Sequence, residues 1–375
     1  MHTTFSIHYL IDYRYACVCL LACLFIFSAV EWHCSNQKHP FTKKLDYWTT
    51  IDVQLEATLD NLPKMVDWRV DATTGKPLAT PVKVQGRCGS CWAFATAAAM
   101  ESHVAIASPN QTLLELSEQE LVSCVPNPNH CGGAGGCHGS TAELALNFIA
   151  HRGIVDEWHF GYQSFNGDDN SGGGGGGPDD HRRRQHHRIK CSLKLKPFET
   201  ENDQHVSKYY QDVVAAAHGY VKLPANNYTA LMHTVATFGP VIVNVAAQGW
   251  RSYESGVYAP TGHSSKQTDI DHVVLLMGYG TDDVTGEDYW LVRNSWGTQW
   301  GEEGYIRLKR TDPISLPRPD ADCGMDVTPA NGIACTEGDD GNGHQHHITP
   351  PAVKVCGTSG ILFDPVLPYG VHLVK

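Results

Sequence analysis

Charge is in short supply in this chain, and long apolar runs are too. Asp, Glu, Lys and Arg make up 18% of 375 residues, and the basic side is the minority: 28 Lys and Arg stand against 40 Asp and Glu, a formal net charge of −12 with histidine neutral. Without a basic surplus the chain is excluded as a general nucleic-acid binder, whose affinity comes from neutralising phosphates. The exclusion applies at neutral pH, because the 21 histidines take up protons near pH 5 and move the net charge toward zero or beyond. The 36 glycines follow no every-third-residue repeat, which excludes a collagen-like fibre. Apolar residues reach 42%, too many for a mostly disordered chain. The apolar run Ala16 to Val30 is fifteen residues long, shorter than the roughly 20 that a bilayer span requires. With Arg14 ahead of it, the run reads as the core of a signal peptide. The alternative is an uncleaved signal anchor, the chain's only expected route to a membrane.

The length suffices for one large or two ordinary domains. Residues 1–30 form the signal peptide or anchor, 31–61 a short, weakly patterned pro-like segment, and 62–375 the folded domain. Within that domain 165–188 reads as a flexible insertion. Six consecutive glycines, Gly172 to Gly177, precede Asp179-Asp180 and the Arg- and His-rich run His181 to Arg188, and no core can be built from them. Such chain predicts proteolytic nicking. Nucleic-acid or heparin binding by the basic run is a competing reading. So is metal binding by His186 and His187, or by His344, His346 and His347. None has the ligand spacing of a structural zinc site, and no metal or cofactor is expected.

Helix signals dominate the first half. Ser90 precedes the helix-forming run Cys91 to Met100. Ser117-Glu-Gln-Glu120 reads as a capping box, and Ser140-Thr-Ala-Glu143 as another, with Gly153 placed to end its helix. The second half reads as strands over Val241 to Val245, Asp271 to Tyr279, Tyr289 to Val292 and Gly304 to Lys309. Helices followed by strands predict an α+β chain with two packed halves.

Of thirteen cysteines, nine lie beyond residue 35: Cys88, Cys91, Cys124, Cys131, Cys137, Cys191, Cys323, Cys335 and Cys356. An odd number leaves one thiol unpaired in an oxidising compartment, and that thiol needs a reason. The stretch Gln85-Gly-Arg-Cys88-Gly-Ser-Cys91-Trp92-Ala-Phe94 supplies one. A thiol at a helix start meets the positive end of the backbone dipole, which favours the nucleophilic thiolate. The C-x-x-C spacing of Cys88 and Cys91 also occurs in thioredoxin-like redox motifs. Those belong to a parallel α/β sheet, which this helices-then-strands pattern does not supply.

Three motifs in this order resemble the papain family of cysteine peptidases: Cys88-Gly89-Ser90-Cys91-Trp92, then Asp271-His272-Val273, then Arg293-Asn294-Ser295-Trp296-Gly297. Gly301-Glu302-Glu303-Gly304-Tyr305 continues the pattern, and the resemblance covers roughly Leu62 to Gly332. It implies a papain-like α+β fold, with a helical left half, an antiparallel β-barrel-like right half and the active-site cleft between them. It implies Cys91 as nucleophile, His272 as acid and base, Asn294 as the residue that orients the imidazole, and Gln85 with the Cys91 N–H as oxyanion donors. Trp296 would shield the Asn–His contact from water. By the same resemblance Cys88 pairs with Cys137 and Cys124 with Cys191. Cys91 is then the odd thiol, and the pairing of Cys131, Cys323, Cys335 and Cys356 is open.

Substrate backbone would meet Gly139 and Ser140. The pocket for the second residue before the cleaved bond would draw on Thr141, Ala142, Asn244, Ile270, Val273 and Thr328, suiting a medium apolar side chain. The chain departs from the family in three ways. His272 and Asn294 lie 181 and 203 residues after Cys91, against about 130–150 in relatives; the 165–188 insertion supplies much of the excess. No long helical prosegment pattern precedes Leu62. No cysteine between Cys191 and Cys323 is available for the family's usual bridge, so the Cys-containing extension over 333–375 must pair differently.

The resemblance implies an endopeptidase of the secretory pathway, acting in a lysosome, vacuole or outside the cell. Its partners would be protein or peptide substrates and cystatin-like inhibitors. One rival is a catalytically dead relative acting as a binding protein, but such relatives lose the nucleophile. The other is an exopeptidase, which needs an added loop blocking one end of the cleft. The Asn127 to Gly136 loop is the nearby candidate.

Overall fold

The computed structural model describes residues 59–164, 212–260, 268–318, 320–339 and 345–374. The N-terminal apolar run, nearly all of the pro-like segment, the 165–188 insertion and Cys191 lie outside the described residues.

Helix α1 (Cys91–Ala107) is small and apolar on nearly every side, and Trp92 through Ala105 are buried. A helix with that composition belongs inside a core rather than on a surface. Helix α2 (Glu118–Cys124) starts at Ser117, whose side chain accepts the Glu120 N–H. Only half of the expected box forms, because the Glu120 carboxylate takes the Val155 N–H instead of reaching back. Helix α3 (Ala142–Arg152) corrects the sequence reading by one residue: Thr141, not Ser140, caps it by accepting the Leu144 N–H. Gly153 ends it with φ 71°, as expected of a glycine stop. Helix α4 (Tyr228–Thr237) is capped by Asn227, which accepts the Ala230 N–H.

In chain order the strands are β1 (Val66–Asp67), β2 (Ile154–Val155), β3 (Val213–Ala216), β4 (Gly219–Lys222), β5 (Val241–Val245), β6 (Val257–Tyr258), β7 (His272–Thr281), β8 (Asp288–Arg293), β9 (Tyr305–Lys309), β10 (Cys323–Asp326), β11 (Glu337–Asp339), β12 (Gln345–His347), β13 (Val353–Cys356), β14 (Val366–Tyr369) and β15 (His372–Leu373). The main sheet runs β4-β14-β5-β7-β8-β9-β6, with β1 added on β7. Its pairs are antiparallel except β6 with β9, and its ends, β4 and β6, do not pair, so the sheet is not a closed barrel. Strand β14 joins it between β4 and β5. Residues 366–369 of the stretch 333–375 thus lie within the central sheet.

Strand β7 explains how the halves meet. Val273, Leu275 and Met277 face the core built on α1, while Val274 and Leu276 face the core built on α4. A strand covered on both faces needs a continuous apolar run rather than an alternating one, and Val273 to Met277 is one. A register irregularity between Leu276 and Gly278 reverses the parity, so Tyr279 joins Val274 and Leu276 on the α4 side. Because α1 packs on β7, the first residue of the helix, Cys91, comes to the first residue of the strand, His272.

Candidate active site

Cys91 opens α1 and keeps partial exposure; it is the free cysteine among the described residues. Ser90 ahead of it makes no side-chain cap. Its hydroxyl lies 2.8 Å from the Tyr162 hydroxyl instead. The Ala93 and Phe94 N–H groups donate to the Ser90 carbonyl, and the Trp92 N–H hydrogen-bonds the thiol. Burial opposes ionisation of Cys91, but the charge of His272, a side-chain hydrogen bond with it, and the N–H groups of Val273 and Trp92 outweigh burial and hold the thiol below its ordinary value. His272 mirrors this. Burial disfavours its cation, yet the Cys91 charge and hydrogen bonds with Cys91 and Asn294 raise its pKa above the usual histidine value. The two shifts favour a thiolate–imidazolium pair, whose titration belongs to both groups together.

His272 Nε2 lies 2.8 Å from Asn294 Oδ1, both buried, which leaves Nδ1 for Cys91. Asn294 immediately follows β8, which pairs with β7, so the strand pair delivers both residues to one place. Asn294 Oδ1 also accepts the Ser295 N–H at 2.8 Å, which fixes the amide. The Trp296 ring lies 5.1 Å from the imidazole at an interplanar angle of 32°. Trp250 meets the imidazole edge-on at 6.2 Å, and Trp300 closes the cluster 5.0 Å from Trp296. Trp250 and Trp300 escaped the sequence reading, because neither sits in a motif that names the site.

Gln85 is buried beside the nucleophile. Its Nε2 donates to the Cys88 carbonyl at 3.0 Å and its Oε1 accepts the Ser295 hydroxyl at 2.6 Å. One amide N–H and the amide oxygen thus anchor the side chain. The backbone is pinned too: Tyr162 and Ser164 both donate to the Gln85 carbonyl, at 2.6 and 3.1 Å. Tyr162 was another residue the motifs did not announce.

The disulfides Cys88–Cys137, Cys131–Cys335 and Cys323–Cys356 are formed. Cys124 is also disulfide-bonded, and its expected partner Cys191 lies outside the described residues. Among the described residues no cluster of three or more His, Cys, Asp and Glu could hold a metal ion. His346 and His347 sit on β12, opposite Gly338 and Glu337.

Of the expected pocket residues most are buried, while Gly139 is half-buried and Thr328 is exposed. Gly139 and Ser140 lie beside the nucleophile turn, where Gly89 bridges His138. The Gly139 carbonyl is already taken by the Gly135 N–H at 2.7 Å. Ser140, Thr141, Ala142, Asn244, Ile270 and Val273 are all buried, at 5% exposure or less. Asn244 donates to the Asp364 carbonyl at 3.1 Å. Thr328 starts a short 3₁₀ turn and hydrogen-bonds Asp326. Beside the imidazole lies a cavity of about 410 Å³ lined by Ala247, Gln248, Arg251, Asp271, His272 and Trp296.

Comparison with known proteins agrees with this geometry. Residues 62–332 match the family described as papain family cysteine protease. A cysteine proteinase of Brassica napus is 36% identical over 255 residues, 67% of this chain and 61% of that protein. Procathepsin L of Mus musculus is 34% identical over 260 residues, 68% of this chain and 63% of that protein. The matched stretch therefore spans about three fifths of the length of these relatives. Among solved structures, the bromelain protease from Ananas comosus in complex with the E64 inhibitor superposes with a TM-score of 0.52 at 27% identity, covering 82% of this chain and 100% of that one.

Proposed function

The chain belongs to the papain family of cysteine proteases, and from that premise we propose that it hydrolyses peptide bonds with Cys91 as nucleophile and His272 as acid and base. The observation that carries the reading is the free Cys91 thiol at the start of α1, hydrogen-bonded to an imidazole whose far nitrogen is held 2.8 Å from Asn294. The Cys91 thiolate attacks the substrate carbonyl carbon. The developing oxyanion takes hydrogen bonds from the Gln85 side-chain amide and the Cys91 N–H. The imidazolium gives its proton to the leaving amine, the C–N bond breaks and a thioester forms. Neutral His272 then takes a proton from water as that water attacks the thioester, releasing the acid and regenerating the pair. Asn294 keeps the imidazole oriented, and Trp296 keeps water off the Asn–His contact.

Protein and peptide substrates follow from this chemistry, with cystatin-like inhibitors as further expected partners. The disulfides support passage through an oxidising compartment, hence the secretory pathway and a lysosome, vacuole or extracellular setting. An endopeptidase needs a cleft open on both sides of the thiol, and an exopeptidase needs one side blocked.

The test is alkylation by iodoacetamide against pH, in wild type and His272→Ala, with the labelled peptide identified by mass spectrometry. Cys91 should react well below the pH at which an ordinary thiol ionises, and His272→Ala should abolish that early reactivity. A thiol that reacts only with ordinary cysteine ionisation in both proteins would overturn the pair.

A further inference from the structure

One segment is tied to both halves of the molecule. It starts at Cys323, bonded to Cys356 on the sheet half, and ends at Cys335, bonded to Cys131 on the helical half. Along the sheet wall it follows the residues just ahead of His272. Thr268 donates to the Met325 carbonyl at 2.9 Å, the Val327 N–H donates to Asp269 at 3.2 Å, and Gly332 lies so close to Ile270 that a Cβ there would come within 2.8 Å of its side chain. Along the helical wall the Gly132 N–H donates to the Ala334 carbonyl at 3.1 Å, and the Glu337 N–H donates to the Asn129 carbonyl at 3.0 Å. Gly132 is wedged against the Gly332 and Ser140 carbonyls and the Thr141 side chain. The residues beneath are the buried Ser140, Thr141, Ala142 and Ile270.

The reaction defines which side this is. The leaving nitrogen must receive its proton from His272, so the leaving chain runs into the cavity that His272 and Trp296 line. The acyl chain must then run the opposite way, toward residues 138–142 and 270, beneath this segment. We propose that the Cys323–Cys335 segment closes the acyl side, so that the enzyme is an exopeptidase releasing one or two residues from the amino end of peptides, with the remaining peptide leaving through the open cavity. This rests on the cysteine-peptidase reading above. The Asn127 to Gly136 loop is then an anchor for the block, not the block itself.

The experiment compares a linear decapeptide with its head-to-tail cyclic form, using native enzyme whose Cys91 has first been shown to alkylate. The linear peptide should shorten stepwise from its amino end by mass spectrometry, and the cyclic peptide, which has no end, should be cut at least 100-fold more slowly. The double variant Cys131→Ser, Cys335→Ser and, separately, Gly132→Ala should raise cyclic-peptide cutting by tenfold or more by freeing the segment. Cyclic peptide opened by native enzyme within tenfold of the linear rate would overturn the proposal. An alkylatable Cys91 with neither peptide cut would overturn it as well. A Cys91 that does not alkylate would instead overturn the underlying peptidase reading, which separates the two failures. Should the cysteine variant not fold, the native comparison and Gly132→Ala still decide.

Discussion

The two flanks of the Cys91–His272 pair are built from neighbouring residues and end in opposite states. Asp271 lines the open cavity, and Ile270, one residue earlier, is completely buried against Gly332 and Gly360. On the open flank the wall comes from three segments within 50 residues of one another: the Asp271 carboxylate accepts the Ala247 N–H at 2.8 Å, and Trp296 follows Asn294 by two residues. On the covered flank the wall is held by contacts between residues 131 and 335, 204 positions apart in sequence. Chemistry shared by both flanks sits in short motifs. Access, which distinguishes them, is imposed by a distant piece of chain.

The largest expected effect comes from removing what the flanks share. Cys91→Ala should lower kcat/KM by several orders of magnitude on any peptide, with an unchanged circular dichroism spectrum and Tm. Residual hydrolysis near the wild-type rate would mean the nucleophile lies elsewhere. Next, Gln85→Ala should cost ~10²–10³ in kcat with little change in KM, because the oxyanion exists only at and after the transition state. A raised KM alone, in steady-state kinetics, would make Gln85 a binding residue.

A smaller effect separates the covered flank from ordinary strain. Gly132 and Gly75 both have positive φ, +63° and +70°, but a Cβ at Gly132 would overlap the Gly332 carbonyl while one at Gly75 meets nothing within 4 Å. Gly75→Ala should therefore cost only the left-handed backbone penalty, about 1 kcal/mol. Gly132→Ala should cost about 2–4 kcal/mol, since overlap adds to that penalty. Equal losses in denaturant unfolding would show that the Cys323–Cys335 segment does not press on Gly132.

The smallest effect concerns pH. On the proposed mechanism the pair acts with Cys91 ionised and His272 protonated. kcat/KM should rise as pH passes the lowered Cys91 value and fall as it passes the raised His272 value. Asn294 supports the imidazolium, so Asn294→Ala should move the alkaline limb toward acid and leave the acid limb nearly in place. An unmoved alkaline limb in the pH–rate profile would remove Asn294 from the pair.

Much of the site was legible because its parts are local. Cys91 begins a helix whose small apolar residues announce themselves, and His272 begins a strand whose apolar run marks burial on both faces. Gln85 lies six residues before Cys91 on the same turn. Where reading failed, the competing interaction lay one residue along the chain or came from a distant strand. Ser140 looked like a cap, but Thr141 holds the Leu144 N–H and the Ser140 hydroxyl is buried without a partner. Glu120 looked like the return half of a capping box, but Val155, brought alongside by β2, took its carboxylate.

By itself the sequence determined the first three helices, four of the strands of the sheet and the three motifs, because each is set by neighbours a few residues apart. Only the tertiary structure decided which of Cys131, Cys323, Cys335 and Cys356 pair, that β14 returns into the central sheet, and that 323–335 is tied to both halves of the molecule. Those outcomes depend on which distant chains come within bonding distance once two cores have packed on either face of β7, and no spacing along the chain encodes that proximity.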